Sequence, residues 1–110
     1  MAVTLNSDQR YPAGFLINAN SADLSGGETL LAAVADKNAY LERVWISSGA
    51  AITVTIRAGA DVLLGPFYLA ASQTIDVVLS RQVQLPAATA LTAIASGAGN
   101  VTIVAQGVMR

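Results

Sequence analysis

The sequence predicts an all-β protein: an antiparallel β-sandwich of about eight strands, jelly-roll-like, with a short N-terminal arm. Short segments of alternating apolar and polar residues are separated by Gly, Pro, Asn and Ser at the spacing typical of sandwiches and barrels. No segment sustains a helical period. At 110 residues the chain has the length of one domain. We place the arm at residues 1–14 and the sandwich domain at residues 15–110.

The first three strand segments are bounded by turn residues. Residues 15–22 follow the sequence Pro-Ala-Gly. Residues 28–35 lie between a Gly-Gly pair and an Asp-Lys-Asn sequence, after which residues 39–47 begin. Gly, Asn and Asp favour turns because they tolerate the backbone conformations that turns require.

The fourth segment, residues 52–58, shows the strand pattern most clearly. Its branched apolar residues alternate with Thr53, Thr55 and Arg57. One face is therefore apolar, and the other is polar but almost uncharged.

The fifth segment, residues 62–70, is interrupted by Gly65-Pro66. Proline cannot donate a ladder hydrogen bond, so it belongs at a sheet edge or a bulge. The residues expected to face inward also shift there, from Val62 and Leu64 before the interruption to Phe67 and Leu69 after it. We predict a β-bulge that bends this strand.

The last three segments complete the count. Residues 74–80 alternate well, with Ile75, Val77 and Leu79 on one side and Thr74, Asp76 and Ser80 on the other, and the sequence SGAGN separates residues 90–96 from residues 101–108. Because its two glycines can take positive φ, we predict that the last two strands form a hairpin. Eight antiparallel strands in two sheets is the jelly-roll count. An immunoglobulin-type sandwich fits nearly as well, although its usual Cys-Trp-Cys core is reduced here to Trp45.

Composition predicts a protein that is covered by other subunits. Hydrophobic residues make up 54% and charged residues 12% of the chain, against usual values of about 45–50% and about 25%. So few charges cannot coat a whole surface, so we expect a homo-oligomer. The net charge is −1 and no basic run occurs, which argues against a nucleic-acid or membrane partner.

The residue types present argue against catalysis. The chain has no His and no Cys, which excludes Ser-His-Asp and Cys-His triads and histidine-rich metal sites. The sequence DKNAYLE, at residues 36–42, lacks the glycine and the late glutamate of a calcium loop, so we interpret it as a turn. No acid pair shows a glycosidase spacing. We therefore predict no catalytic, metal-binding or cofactor-binding residue and no cofactor.

Several residues are candidates for contacts with a partner. Residues 1–12 are poorly patterned, and such a segment frays unless it is held. We expect the arm to dock onto a neighbouring subunit, the alternative being packing on its own domain. Trp45 and Phe67 are expected as core or interface anchors, the alternative being a sugar-stacking platform with Tyr40 and Tyr68. Arg43 and Arg57 are either intersubunit contacts or ordinary exposed arginines. The predicted interface comprises Leu5, Arg10, Tyr11, Arg43, Trp45, Thr53, Thr55 and Arg57.

The run LERVWISSGAAITVTIRAGADVLLGPFYLAASQTIDVVLSRQVQLPAATALTAIASGAGNVTIVAQG, residues 41–107, resembles a pattern found in small virion structural proteins of tailed bacteriophages. Within that group the chain is most similar to capsid decoration (cement) proteins. Such proteins are jelly-roll-like, often trimeric, and lie at junctions between major capsid proteins.

The resemblance implies a non-enzymatic homotrimer that is made in the host cytoplasm and binds the major capsid protein, or another virion protein, on the capsid exterior. A phage tail, neck or fibre component is the first alternative. A carbohydrate-binding module is the second.

Overall fold

The fold consists entirely of antiparallel strands. The computed structural model describes residues 4–10, 14–33, 37–86 and 88–109. Within these residues there are nine strands, and every segment predicted as a strand contributes one. They are β1 (Thr4–Arg10), β2 (Gly14–Asp23), β3 (Glu28–Leu31), β4 (Ala39–Ser48), β5 (Ile52–Ala58), β6 (Asp61–Leu69), β7 (Gln73–Gln84), β8 (Leu91–Ala95) and β9 (Ala98–Met109).

The strands form two sheets that face each other. One sheet has the order β1-β2-β9-β4-β7 and the other has the order β3-β8-β5-β6. Without the arm strand β1, four strands oppose four, and chain order alternates between sheets except where β6 follows β5. This is the pairing order of a double-sheet jelly roll. The predicted antiparallel sandwich is therefore confirmed.

The N-terminal arm is part of its own sheet. β1 pairs with β2 from Thr4, opposite Asn20, to Arg10, opposite Phe15. Residues 4–10 thus pack on their own domain, which is the alternative to the expected docking onto a neighbouring subunit. Tyr11 lies outside the described residues.

An aliphatic core fills the space between the sheets. In β5 the side chains of Val54 and Ile56 are fully buried, as the alternation in residues 52–58 predicts. In β9 the inward row is Val101, Ile103 and Ala105, each at most 2% exposed. Burying one such Val, Ile or Leu side chain stabilises the fold by about 1.5–3 kcal/mol.

The strand β6 carries the predicted bulge and a second one. Its register with β5 shifts at Gly65-Pro66, which has a cis peptide bond, and Leu64 and Phe67 on either side pack against the core. A second shift at Leu63 turns Val62 outward, where it is 65% exposed. The prediction that Val62 faces inward is therefore wrong, because two closely spaced bulges change the parity twice.

The predicted hairpin of the last two strands is also wrong. β8 pairs with β3 and β5, whereas β9 pairs with β2 and β4. The chain reverses at Ser96-Gly97 but crosses to the other sheet. Gly99 then packs on the β4–β5 turn, where a Cβ on Gly99 would lie 2.6 Å from the Cβ of Ala50.

Among the described residues, no helix has the length and apolar character of a membrane span.

Candidate binding surfaces

The predicted interface residues lie on opposite sides of the sandwich. Arg43 and Trp45 alternate with the buried residues of β4, so they lie on the outer face of the five-stranded sheet, which we call the tryptophan face. Thr53, Thr55 and Arg57 lie on the outer face of the four-stranded sheet, which we call the threonine face. The structure therefore does not bring these two groups together. Leu5 and Arg10 belong to β1, at the edge of the five-stranded sheet, opposite Ala19 and Phe15 of β2.

The threonine face is built by cross-strand pairs. Thr53 lies opposite Tyr68 of β6, and Thr55 lies opposite Ile94 of β8. Arg57 lies between Val62 of β6 and Thr92 of β8. The face comprises Thr29, Thr53, Thr55, Arg57, Val62, Tyr68, Thr92 and Ile94. Of these eight residues only Arg57 is charged.

Two large apolar side chains project from this face. Tyr68 is 79% exposed and Val62 is 65% exposed. Beside Tyr68 a shallow hollow of about 270 Å³ is lined by Thr53, Leu69 and Ser96, among others. The predicted interface did not include Tyr68 or Val62. The double bulge of β6 decides the orientation of Val62, whereas the inward Phe67 and Leu69 already indicate that Tyr68 faces outward.

Arg57 sits in the face with an unpaired donor. Its Nε is buried and has no hydrogen-bond partner in the described part of the chain. The guanidinium covers the turn between β2 and β3, since a Cβ on Gly27 would lie 2.5 Å from Nη2. A buried N–H without an acceptor is unfavourable, and because Nε itself is buried, a partner on this face would not reach it.

The tryptophan face is organised by an ion pair. The Nε and Nη2 atoms of Arg43 donate to the two carboxylate oxygens of Asp76 at 3.0 and 2.6 Å. The guanidinium lies 4.2 Å from the centroid of the Trp45 ring. The hydrogen bonds from Arg43 lower the pKa of Asp76 below its ordinary value of 3.8, and the same contact raises the pKa of Arg43.

The aromatic residues were expected either as core or interface anchors or as a sugar-stacking platform. Trp45 is half-buried on an outer face and is not a core residue, whereas Phe67 packs against the core. Tyr68 lies on the threonine face, away from Trp45. Tyr40 lies on the outer side of β4, as Trp45 does. The four residues Tyr40, Trp45, Phe67 and Tyr68 therefore do not share one face, and a guanidinium covers one side of the Trp45 ring.

A second hollow, of about 340 Å³, lies where β2 and β9 meet Glu42 of β4. The register of β4 with β7 and with β9 shifts at this residue. It is lined by Phe15, Leu16 and Gln106, among others, and by one carboxylate, that of Glu42. Glu42 Oε2 accepts a hydrogen bond from Gln82 Nε2 at 2.6 Å. In residues 14–33, 37–86 and 88–109, no three His, Cys, Asp or Glu side chains are grouped so that they could hold a metal ion.

Comparison with known proteins adds no relative: no protein-family model, no curated protein and no solved structure matches the chain. The features of the chain that bear on its function are therefore the jelly-roll fold, the two outer faces and the sequence resemblance of residues 41–107.

Proposed function

We propose that the chain is a non-enzymatic virion structural protein, a capsid decoration protein that binds the major capsid protein lattice through its threonine face. The observation that carries this proposal is the chemistry of that face. Among its eight residues there is one charge, and two of the most exposed large apolar side chains of the described residues, Val62 and Tyr68, project from it. Charge depletion with exposed aromatic and apolar side chains is typical of the centre of a protein interface.

The face is also inexpensive to desolvate. Thr53 and Thr55 present small, half-buried side chains. Thr92 on the same face is already buried, and its hydroxyl donates to the carbonyl of Gly59 at 2.6 Å. A partner that covers these threonines buries no charge, so Arg57 is the one charge of the face that a partner has to match. Tyr68 supplies a large amphipathic anchor of the type that dominates binding energy.

The fold and the resemblance support the same proposal. Jelly rolls occur in viral capsid domains and also in lectins, so the fold alone does not assign a role. The resemblance to phage decoration proteins covers residues 41–107, which run from β4 into β9. It favours the virion role, and with it the homotrimer, the capsid exterior and synthesis in the host cytoplasm as predictions.

The mechanism would be stabilisation by mass action. A protein that binds the assembled lattice and not the dispersed subunits shifts the equilibrium towards the lattice. At a free concentration of about 100 times Kd the gain is about 2.7 kcal/mol per occupied site.

Two other functions remain as outcomes of the test. A tail, neck or fibre component would use the same face, but its copies would form an open stack and not a closed ring. A carbohydrate-binding module needs an accessible aromatic platform with converging polar groups. The cover of Arg43 over Trp45 counts against it.

The test compares binding to empty capsid shells of the phage that encodes the chain with binding to its dispersed capsid subunits, by co-sedimentation. We expect binding to shells alone, and its loss in the Thr55→Asp variant, which places a charge in the threonine face. Thr102→Asp is the matched control, since Thr102 is a half-buried outward threonine on the central strand β9 of the other sheet. Equal binding by the two variants, or no binding by the native chain, would contradict the proposal.

A further inference from the structure

The strand β7 is a long and open sheet edge. It has twelve residues, and within the described part of the chain its only strand neighbour is β4. From Gln73 to Val78 its pairing with β4 is regular. Alternate N–H and C=O groups of these residues therefore point away from β4, ready to pair with another strand.

The other sheet edges are better protected. β3 has four residues, β6 has two bulges and Pro66, and β1 has a register shift between Leu5 and Ser7. Short length, proline and bulges are the features that block edge-to-edge pairing. β7 also has a register shift against β4, between Val78 and Val83. Residues 73–78, before this shift, pair regularly with β4 and contain no Pro, Gly or Lys.

The apolar residues of β7 have a self-complementary spacing. Ile75, Val77 and Leu79 contact the core but remain half-buried, and Val78 on the outer side is 65% exposed. The three inner residues are symmetric about Val77. If two copies pair antiparallel around Val77, Ile75 faces Leu79 of the second copy and the two Val77 side chains face each other.

The charges agree with the same register. The one charge between Gln73 and Ser80 is Asp76, which is held by Arg43 of its own chain. In the register centred on Val77, Asp76 faces Val78 of the second copy. Moving the centre to Asp76 would oppose two carboxylates, and moving it to Val78 would place Ile75 opposite Arg81. Two carboxylates directly opposite each other are unfavourable, and the register centred on Val78 leaves Ile75 without an apolar partner. Only the register centred on Val77 pairs all three inner residues with apolar residues, and there the charge of Asp76 is matched by Arg43 of its own chain.

We infer that β7 is a contact between two copies of this chain, formed by antiparallel β7–β7 pairing about a two-fold axis at Val77. The pairing continues the five-stranded sheet of one copy into that of the other and covers the half-buried apolar row of both. The inference goes beyond the proposed function and does not depend on it. A two-fold contact makes dimers, so a trimer would use a different face.

Cysteine cross-linking tests this contact directly, because the chain has no cysteine of its own. In the full chain carrying Val77→Cys, the two thiols would lie directly opposite. Their Cβ atoms would be about 4.5–5.5 Å apart, close to the separation that a disulfide spans. We expect mild oxidation to give a covalent dimer at least tenfold faster than in the Val62→Cys control. Val62 is the more exposed residue, so random collision would favour the control.

The register of the β7–β7 pairing is tested separately, with cysteines at exposed positions that do not disturb the core. A mixture of the Thr74→Cys and Ser80→Cys variants should cross-link, whereas each variant alone should not. Cross-linking of Val77→Cys no faster than that of Val62→Cys would overturn the inference. Self-cross-linking of Thr74→Cys would overturn the register. Neither readout involves capsid binding, so failure here leaves the proposed function to its own experiment.

Discussion

Gly107 of β9 is the position where the packing leaves least room for a side chain. A Cβ there would collide with the carbonyl oxygen of Tyr40 and would lie 2.8 and 2.9 Å from ring carbons of Phe15. Since real Cβ atoms do not approach backbone this closely, a Gly107→Ala variant must move β4 away from β9. We predict a destabilisation near the upper end of the 1–3 kcal/mol range for overpacked cores, about 3 kcal/mol.

Urea denaturation measures this effect. Trp45 is the single tryptophan and its fluorescence reports unfolding. For a slope of about 1–3 kcal/mol/M, the predicted loss lowers the midpoint by roughly 1–3 M. Gly14→Ala is the matched control on the neighbouring strand, because its Cβ would approach nothing closer than the Gly107 oxygen at 3.8 Å. If Gly107→Ala unfolds at the same urea concentration as Gly14→Ala, the packing at the β2–β9–β4 junction is wrong.

Three further predictions concern single sites. Gly27→Ala should cost roughly 1 kcal/mol in thermal or urea unfolding, because φ is +78° there and positive φ is unfavourable with a Cβ. Gly26→Ala, with nothing within 4 Å of its Cβ, should cost much less. Ile46→Ala should lose about 2–5 kcal/mol, since Ile46 is fully buried. The pKa of Asp76 is lowered in the folded state by its pairing with Arg43. The pairing therefore stabilises the fold at pH values above the ordinary carboxyl pKa, and this stabilisation is lost as the pH falls through the folded-state pKa. Between neutral pH and about pH 3, the stability of Asp76→Asn should therefore fall less steeply than that of the native chain, and equal slopes would contradict the pairing.

The strands could be predicted from sequence because each carries its own local signal. The segment of residues 52–58 matches β5 from Ile52 to Ala58, since alternation and flanking turns are properties of the segment itself. Gly65-Pro66 similarly marks a bulge through the missing donor of proline. The predicted β7 ended at Ser80, whereas the strand reaches Gln84, because residues 81–84 lack the apolar alternation.

Sheet membership and face composition could not be predicted in the same way. The turn after β8 fixes a chain reversal, but whether the next strand pairs with β8 or crosses to the other sheet depends on long-range partners. The contact of Arg43 with Asp76 joins strands 33 residues apart, and no local pattern indicates it. Val78 did leave a signal, since it interrupts the alternation next to Val77 and is the exposed apolar residue of β7.

Light scattering of the full chain, over a wide range of concentrations, tests most directly the central claim that this charge-poor sandwich is built to assemble. We predict a solution mass of at least twice the 11.2 kDa of one chain. A dimer would support the β7 contact. A trimer would support the resemblance to decoration proteins and contradict a β7 contact in solution, since three copies cannot all be paired two by two, whereas six chains would support both. A monomer at every concentration would contradict the claim, because the exposed Tyr68, Val62 and Val78 would then be an ordinary solvated surface.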